Sequence, residues 1–260
     1  MTTGEPRKIK SVDRTVDLLE EIRHAEGPLT VSELAEELDL AVSTVHTYLS
    51  TLEDRGLIRR ADKGYQLGLK FIPLGHYVLH DLKLYKAGRD EIRKLANVTG
   101  EMSHLIVEHD GRLLPTYEWY GENASGMMFH EQKRERFLDH LHCTSCGKAL
   151  LAYLPEEEVW DIIDQHDLKQ MTPKTITDPD ELFDELEAIH DRGFAICDEE
   201  QMPGQRAVGA AVRDKRGYPV GAISVSAPSK RLSGEQLRDR IPEKVRNTAN
   251  VIEVNYRAFD

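Results

Sequence analysis

The chain has 260 residues and a net charge of −12, with 46 acidic and 34 basic side chains. This length is typical of two domains. The sequence has no apolar run near the ~20 residues of a membrane helix, and its N-terminal stretch MTTGEPRKIKSVDR lacks the apolar core of a signal peptide. Three cysteines do not make a disulfide framework in a chain of this size, so we expect a cytoplasmic protein with no membrane partner.

The acidic excess bears on possible partners. It is unusual for a protein that binds nucleic acid, although the segment from Ser43 to Lys70 carries five basic against three acidic residues and is locally positive. Spread over the whole surface, the excess predicts a salt-adapted protein, because acidic side chains favour solubility where salt screens their repulsion.

The first third of the chain is typical of a winged helix-turn-helix domain, which we place at residues 9–68 after a disordered tail at residues 1–8. Thr30 and Glu33 form a capping box at the start of the second helix. A break at residues 39–42 separates it from a third helix, which Gly56 ends. The first helix is predicted over residues 9–26, and its expected inner stripe is Val12, Val16, Leu19 and Ile22.

The third helix and the hairpin after it predict a surface for double-stranded DNA. Short polar side chains on the outer face of the helix can reach phosphates and base edges in a major groove. Residues 57–60 and 64–67 flank a turn and predict a two-stranded wing. The alternative is a small α+β core without a DNA site. The expected base contacts are Thr44, His46, Thr47, Tyr48 and Thr51, and the expected phosphate contacts are Ser43, Arg55, Arg59, Arg60 and Lys63.

Residues 69–83 predict a linker helix, interrupted at Pro73 and Gly75. A helix that is apolar on most sides must be buried. The linker therefore forms either a dimer surface or a contact with its own domain.

Residues 84–260 predict a second, α+β domain. A helix ending near Thr99 is followed by strands, and Asp110-Gly111 and residues 214–217 are hairpin signals. Helical segments between the hairpins end at Pro155, at His166 and at Gly193, and a last helix follows Ser233. We expect an antiparallel sheet flanked by helices.

Two colinear stretches carry a family resemblance. The first is SELAEELDLAVSTVHTYLSTLEDRGLI, and the second is HCTSCGKALLAYL with RGFAICDEEQMPGQRAVGAAVRDKRGYPVGAISVSAPSKRL after it. Together they resemble the IclR-type transcriptional regulators from Ile9 to Phe259. The resemblance implies a DNA-binding winged helix and a C-terminal effector domain with a GAF/PAS-like fold. It also implies homodimers or homotetramers on a palindromic operator, and a small-molecule effector such as an organic, aromatic or sugar acid.

The resemblance further implies an effector pocket formed by Thr144, Ser145, Cys146, Asp198, Ala207, Ser224 and Ser226. The residues themselves agree, because two serines that alternate along a strand share one face and a helix that begins near Ser145 favours an anion at its N-terminus. Without the resemblance, the serines also fit a solvent-facing strand and Asp198 a turn. The chain departs from the usual family pattern at Thr47, where many members have Arg, at Cys146 and at Ala207.

Two other functions fit parts of the sequence. Cys143 and Cys146 form a C-x-x-C, which is half of a zinc site and would need His130 or Cys197 to become a metal or redox sensor. Cys143, a histidine and Asp198 could in principle act as nucleophile, base and orienting acid. No established catalytic motif accompanies them. We therefore expect a regulator without a cofactor rather than an enzyme.

Overall fold

The computed structural model describes residues 9–124 and 140–259. The chain divides into two compact units, and the boundary lies between Val78 and Leu79. The expected disordered tail and His130 lie outside the described residues. Within the described ranges, no helix is both long and apolar enough to cross a membrane.

The first unit is a small helical core with a hairpin, as the sequence predicted. The hydroxyl of Thr30 accepts a hydrogen bond from the Glu33 N–H, and the Glu33 side chain bonds back to the Thr30 N–H, which is the expected capping box. The two strands pair antiparallel, from Ile58 opposite Leu67 to Ala61 opposite Gly64. The elements are α1 (Lys10–His24), α2 (Val31–Glu37), α3 (Val42–Asp54), β1 (Ile58–Ala61) and β2 (Gly64–Leu67).

The first helix buries only half of the stripe that we expected to face the core, because Ile22 is buried and Leu19 packs against the core but Val12 and Val16 do not. Leu18 and Ile22 are buried, whereas Val12 and Val16 are 54% and 52% exposed. Residues four apart lie on one edge of a helix, so both pairs are possible inner edges of α1. Packing against α2, α3 and the hairpin selects the edge that carries Leu18, and the expected placement of Val12 and Val16 in the core is wrong.

Helix α4 (Phe71–Asp81) lies within the segment predicted to be a linker helix. Pro73 does not interrupt it, because the proline falls in the first turn, where backbone N–H groups have no helical partner. None of its residues, all of which are described, is buried. Leu69 and Tyr77 are 69% and 77% exposed. Of the two alternatives, packing on its own domain is therefore not observed.

The second unit contains, among its described residues, an antiparallel sheet of five strands in the order β4-β3-β7-β6-β5. A π-helical turn, Gln236–Arg240, precedes the last helix. The elements are α5 (Lys83–Thr99), β3 (Met102–His109), β4 (Arg112–Trp119), α6 (Ser145–Leu151), α7 (Glu156–His166), α8 (Pro179–Arg192), β5 (Ala195–Asp198), β6 (Gln205–Arg213), β7 (Pro219–Pro228) and α9 (Ile241–Arg257).

The sheet separates two apolar cores, because successive strand residues point to opposite faces. Leu105 and Ile223 pack with α5 and α9 on one face. Ile106 and Ala222 pack with α6, α7 and α8 on the other. This alternation is the α+β arrangement that the sequence predicted.

Helix α6 is held very close to strand β6. A Cβ atom added to Gly209 would lie 2.6 Å from the carbonyl oxygen of Ser145, so only glycine allows this approach. Lys148 on the same helix is 1% exposed, and its Nζ lies 2.8 Å from Glu200 Oε1 and 3.4 Å from Glu185 Oε1. Burial raises the pKa of the Glu200 carboxyl, and the positive charge of Lys148 opposes that shift.

We expect Glu200→Leu to lower the free energy of unfolding by roughly 3–5 kcal/mol, because it removes the nearest counter-charge of a buried ammonium group. The double variant Lys148→Met/Glu200→Leu should recover most of this loss, since no buried charge is then left without its partner. Urea denaturation of wild type, both single variants and the double variant measures the coupling. Additive losses would show that the two charges do not act as a pair.

Candidate effector cavity and DNA-binding surface

A cavity of about 770 Å³, counting its solvent-open mouth, lies in the second unit beside the N-terminal end of α6. Strands β3 to β7 and Gln201, in the segment between β5 and β6, contribute the rest of its lining. Six of the seven residues expected in an effector pocket line it, namely Thr144, Ser145, Cys146, Ala207, Ser224 and Ser226.

Asp198 is the exception, and the expectation that it faces the pocket is wrong. Its carboxylate accepts a hydrogen bond from Arg206 Nε and lies 3.5 Å from Lys174 Nζ. Burial alone would raise the pKa of Asp198, but the hydrogen bond and charge of Arg206 outweigh it and lower that pKa. The two residues are direct cross-strand partners. Arg206, rather than Asp198, lines the cavity.

One polar wall of the cavity is a row of three side chains that crosses strands β4, β3 and β7. His104 Nδ1 lies 3.2 Å from Glu118 Oε1, and His104 Nε2 lies 3.0 Å from Ser226 Oγ. The strand register allows this row, because His104 stands opposite Glu118 on β4 and Ser224 on β7, and Ser226 lies two residues further along β7 on the same face as Ser224. His104 and Glu118 were missed as pocket residues. Alternation along β3 could have placed His104 on a face, but not opposite these partners.

The remaining lining of the cavity is largely apolar. Ile106, Leu113, Pro115 and Cys197 contribute to it, while Gln201 and Gln205 add two amides. Apolar walls with a few convergent polar groups are typical of small-molecule sites. The geometry suits a ligand with an apolar body and polar groups at its ends.

The N-terminus of α6 contributes less to anion binding than the sequence suggested. The helix has only seven residues, and the Gly147 N–H already donates to the Thr144 hydroxyl at 2.9 Å. A short, capped helix offers few unsatisfied donors. The permanent positive charge in the cavity lining is that of Arg206.

The buried cysteines do not favour a metal site or a catalytic thiolate. Burial raises the pKa of the Cys143 and Cys146 thiols to about 12 and that of Cys197 to about 11. A thiol must lose its proton to bind a metal or attack a carbonyl. Among the described residues, no group of three or more side chains could hold a metal ion. Asp198 is paired with Arg206, so it does not orient a base beside Cys143.

The exposed face of α3 carries most of the expected base contacts. Ser43, His46, Thr47 and Thr51 are exposed, whereas Thr44 and Tyr48 are partly buried. Sequence reasoning missed two further residues on this face, Val42 and Ser50, which are also exposed.

The expected phosphate contacts differ in how available they are. Arg55, Arg59 and Lys63 are exposed. Arg60 is exposed as well, but its Nε donates to both carboxylate oxygens of Glu53, at 3.0 and 3.2 Å, and its guanidinium lies 5.5 Å from the centre of the Tyr65 ring. Arg60 is therefore held by its own domain.

Both units match models of a single family. Residues 11–62 match the IclR helix-turn-helix domain, and residues 76–254 match the C-terminal domain of the bacterial transcriptional regulator IclR. The chain belongs to the IclR family of transcriptional regulators. The resemblance stated from the sequence is thereby confirmed.

Individual IclR-family proteins support the assignment. The chain is 38% identical over 252 residues to a probable HTH-type transcriptional regulator, ArcR, of Halobacterium salinarum, covering 96% of this chain and 95% of that protein. Similarity to a protein of a halophile supports the expectation of salt adaptation. The crystal structure of Thermotoga maritima IclR is 30% identical in sequence and has a TM-score of 0.75. The match covers 96% of this chain and 99% of that chain.

A further solved structure, an IclR homolog from Microbacterium hydrocarbonoxydans complexed with 4-hydroxybenzoate, shares the fold. It is 21% identical, with a TM-score of 0.81, and the match covers 95% of this chain and 99% of that chain. The antiparallel sheet with its flanking helices is thus the family's own fold, as expected.

We expect all three cysteines of the native IclR-family protein to resist alkylation by iodoacetamide at pH 8, since their thiols are buried and their pKa values of about 11 to 12 keep them protonated. In concentrated urea the same cysteines should react readily, because unfolding exposes them as ordinary thiols with a pKa of ~8.5. Mass spectrometry of both samples measures the labelled fraction. Rapid labelling of the folded protein would contradict the protonated, buried state.

Proposed function

We propose that this IclR-family regulator binds a palindromic DNA operator as a homodimer or homotetramer and responds to a small organic acid held in the cavity of its second unit. The observation that carries the effector half is the cavity itself, where Arg206, the serines of β7 and an apolar wall converge. The protein acts in the cytoplasm and controls genes of a catabolic pathway whose intermediates include the effector.

The DNA half rests on the surface formed by α3 and the hairpin. Ser43, Arg55, Arg59 and Lys63 hold phosphates and set the orientation of the domain. Base contacts from the exposed face of α3 then select the sequence, because phosphate contacts carry no sequence information. The base contacts are Thr44, His46, Thr47, Tyr48 and Thr51, and Arg60 contributes less than its neighbours because Glu53 holds it.

The assembly rests on apolar side chains that the chain itself leaves uncovered. Ile9, Val12 and Val16 lie on or beside α1 and are each more than half exposed. Helix α4 and the residues just before it add five further apolar side chains that are at least half exposed, namely Leu69, Ile72, Leu74, Tyr77 and Val78. A second copy covers such surfaces in a two-fold dimer, and a two-fold dimer reads two inverted half-sites.

The chemistry of the cavity favours an effector that is an acid with an apolar body. Arg206 is paired with Asp198, so a ligand carboxylate at that side of the cavity competes with Asp198 for the guanidinium, and a ring or short chain fits against Ile106, Leu113 and Pro115. A hydroxyl can bond to Ser224 or Ser226. The ligand of the Microbacterium homolog, 4-hydroxybenzoate, has these three features and is a suitable first probe.

The effector regulates DNA binding only if it binds two arrangements of the assembly with different affinity. Helix α4 spans the boundary between the units, so the difference passes through it. The direction of the switch, towards release or towards binding, decides whether the protein represses or activates.

The experiment that tests the proposal selects operators from random DNA with the full chain and then screens small acids for operator release. Thermal shift measurements on the same acids report binding separately from release. An enriched inverted repeat and at least one acid that both binds and changes operator affinity are expected. If no DNA sequence is enriched, the protein is not a sequence-specific regulator.

We expect Arg59→Ala to weaken binding to every DNA sequence to a similar degree, because one phosphate contact is lost. The slope of the logarithm of the binding constant against the logarithm of the salt concentration should fall in magnitude by about one. Arg60→Ala is the matched variant and should have a smaller effect, since Glu53 already neutralises that guanidinium. Fluorescence anisotropy at several salt concentrations measures both quantities. Equal effects of the two variants would contradict the assigned roles.

We expect Ser226→Ala to weaken binding of the identified acid by about tenfold while operator binding in its absence is retained, because a hydrogen bond to the ligand contributes about 1–1.5 kcal/mol. Ser233→Ala, at an exposed serine outside the cavity lining, is the control. Isothermal titration calorimetry gives the affinities. An unchanged response of Ser226→Ala would remove Ser226 from the effector site.

A further inference from the structure

Helix α3, the recognition helix of the proposed DNA-binding surface, lacks the side chains that most often form base-specific hydrogen bonds with purines. Between Val42 and Asp54 there is no Arg, Lys, Asn or Gln. Arg and Lys form bidentate contacts with guanine, and Asn and Gln form them with adenine. The exposed residues of α3 are instead Val42, Ser43, His46, Thr47, Ser50, Thr51 and, at its last position, Asp54.

The threonine hydroxyls on this face donate their protons to hydrogen bonds within the helix. Thr47 Oγ1 donates to the carbonyl oxygen of Ser43, and Thr51 Oγ1 donates to that of Thr47, each at 3.0 Å. A hydroxyl has one proton to give. Thr47 and Thr51 therefore offer DNA a methyl group and a hydrogen-bond acceptor, but no donor.

Val42 adds an apolar group at the end of the helix that matters most for base contacts. It is the first residue of α3 and is 56% exposed, whereas Val45, Leu49 and Leu52 of the same helix fill the core. In helix-turn-helix proteins, the N-terminal residues of the recognition helix contact base edges. The isopropyl group of Val42 therefore has a position from which it can meet a base.

We infer that α3 recognises its half-site through the C5-methyl groups of thymine, with Val42 and Thr47 as the readers. In the major groove the thymine methyl is the apolar feature of the base-pair edge, and proteins read it by apolar contact. This inference rests on the proposed function, because it states what the DNA-binding surface reads. The inference predicts A·T base pairs at the operator positions that face the N-terminal half of α3.

The charge of the protein makes this kind of contact useful. A chain with a net charge of −12 and few available cations on its DNA-binding surface gains limited affinity from phosphates. Phosphate contacts weaken steeply with salt because they act through counterion release. An apolar contact releases no counterions, so it is retained at salt concentrations that weaken the rest of the interface.

The test begins with the operator enriched by the full chain and replaces its thymines by uracil one at a time. This change removes only the C5-methyl group. One or more positions in each half-site should lose about fourfold in affinity, which corresponds to about 0.8 kcal/mol for one buried methyl group. Electrophoretic mobility shift and anisotropy titrations measure the affinities.

Protein variants then assign each methyl group to its reader. Val42→Ala and Thr47→Ser each remove an apolar partner, so uracil at the matching position should cause no further loss. Thr47→Val keeps the branched shape and should keep the sensitivity to uracil. The matched control is Val98→Ala, the same truncation at a valine that is 65% exposed in the second unit, and it should show the wild-type sensitivity at every position.

The outcomes separate this inference from the proposed function. An enriched operator whose affinity is insensitive to uracil at every position overturns the inference and leaves the DNA-binding function intact. Sensitivity that persists in both Val42→Ala and Thr47→Ser overturns the assignment of the two readers. Failure to enrich any sequence overturns both the function and the inference.

Discussion

The buried ion pair between Lys148 and Glu200 is the interaction on which the cavity depends. Lys148 lies on the helix whose first residues line the cavity, and Glu200 follows the strand that ends at Asp198. Glu200 Oε1 also accepts the Asp198 N–H at 3.1 Å, so one carboxylate holds both segments. Because an isolated charge at this depth costs several kcal/mol, α6 and the segment after β5 cannot separate without a large penalty.

The polar groups that the structure describes in the second unit divide into those already paired within the protein and those that face the cavity. Asp198 is engaged with Arg206, and the three thiols are protonated and buried, which leaves little capacity for metal or nucleophilic chemistry. The row from Glu118 through His104 to Ser226 faces an apolar wall across the cavity. These are the groups on which the proposed effector site rests.

The DNA-binding surface faces the opposite problem, because an acidic protein must bind a polyanion. Its exposed cations lie mainly on the hairpin and at the end of α3, and one of them, Arg60, is held by Glu53. The N-terminal and middle parts of the exposed face of α3 carry short polar or apolar side chains and His46, and the one acidic side chain exposed on this helix, Asp54, is its last residue. On the proposed function, selection of the operator depends on close contacts of short side chains with base edges more than on long-range attraction.

The sequence by itself determined the elements, the capping box at Thr30, the hairpin turns and the family, because these depend on local spacing and on long motifs. The tertiary structure decided the rest. An amphipathic helix has more than one possible inner edge, so only packing could place Leu18 inside and Val12 outside. Strand register put His104 opposite Glu118 and within reach of Ser226, the diagonal neighbour on β7, and pairing with Arg206 across strands engaged Asp198 outside the cavity lining. Such choices depend on contacts between residues far apart in the chain, which no local pattern records.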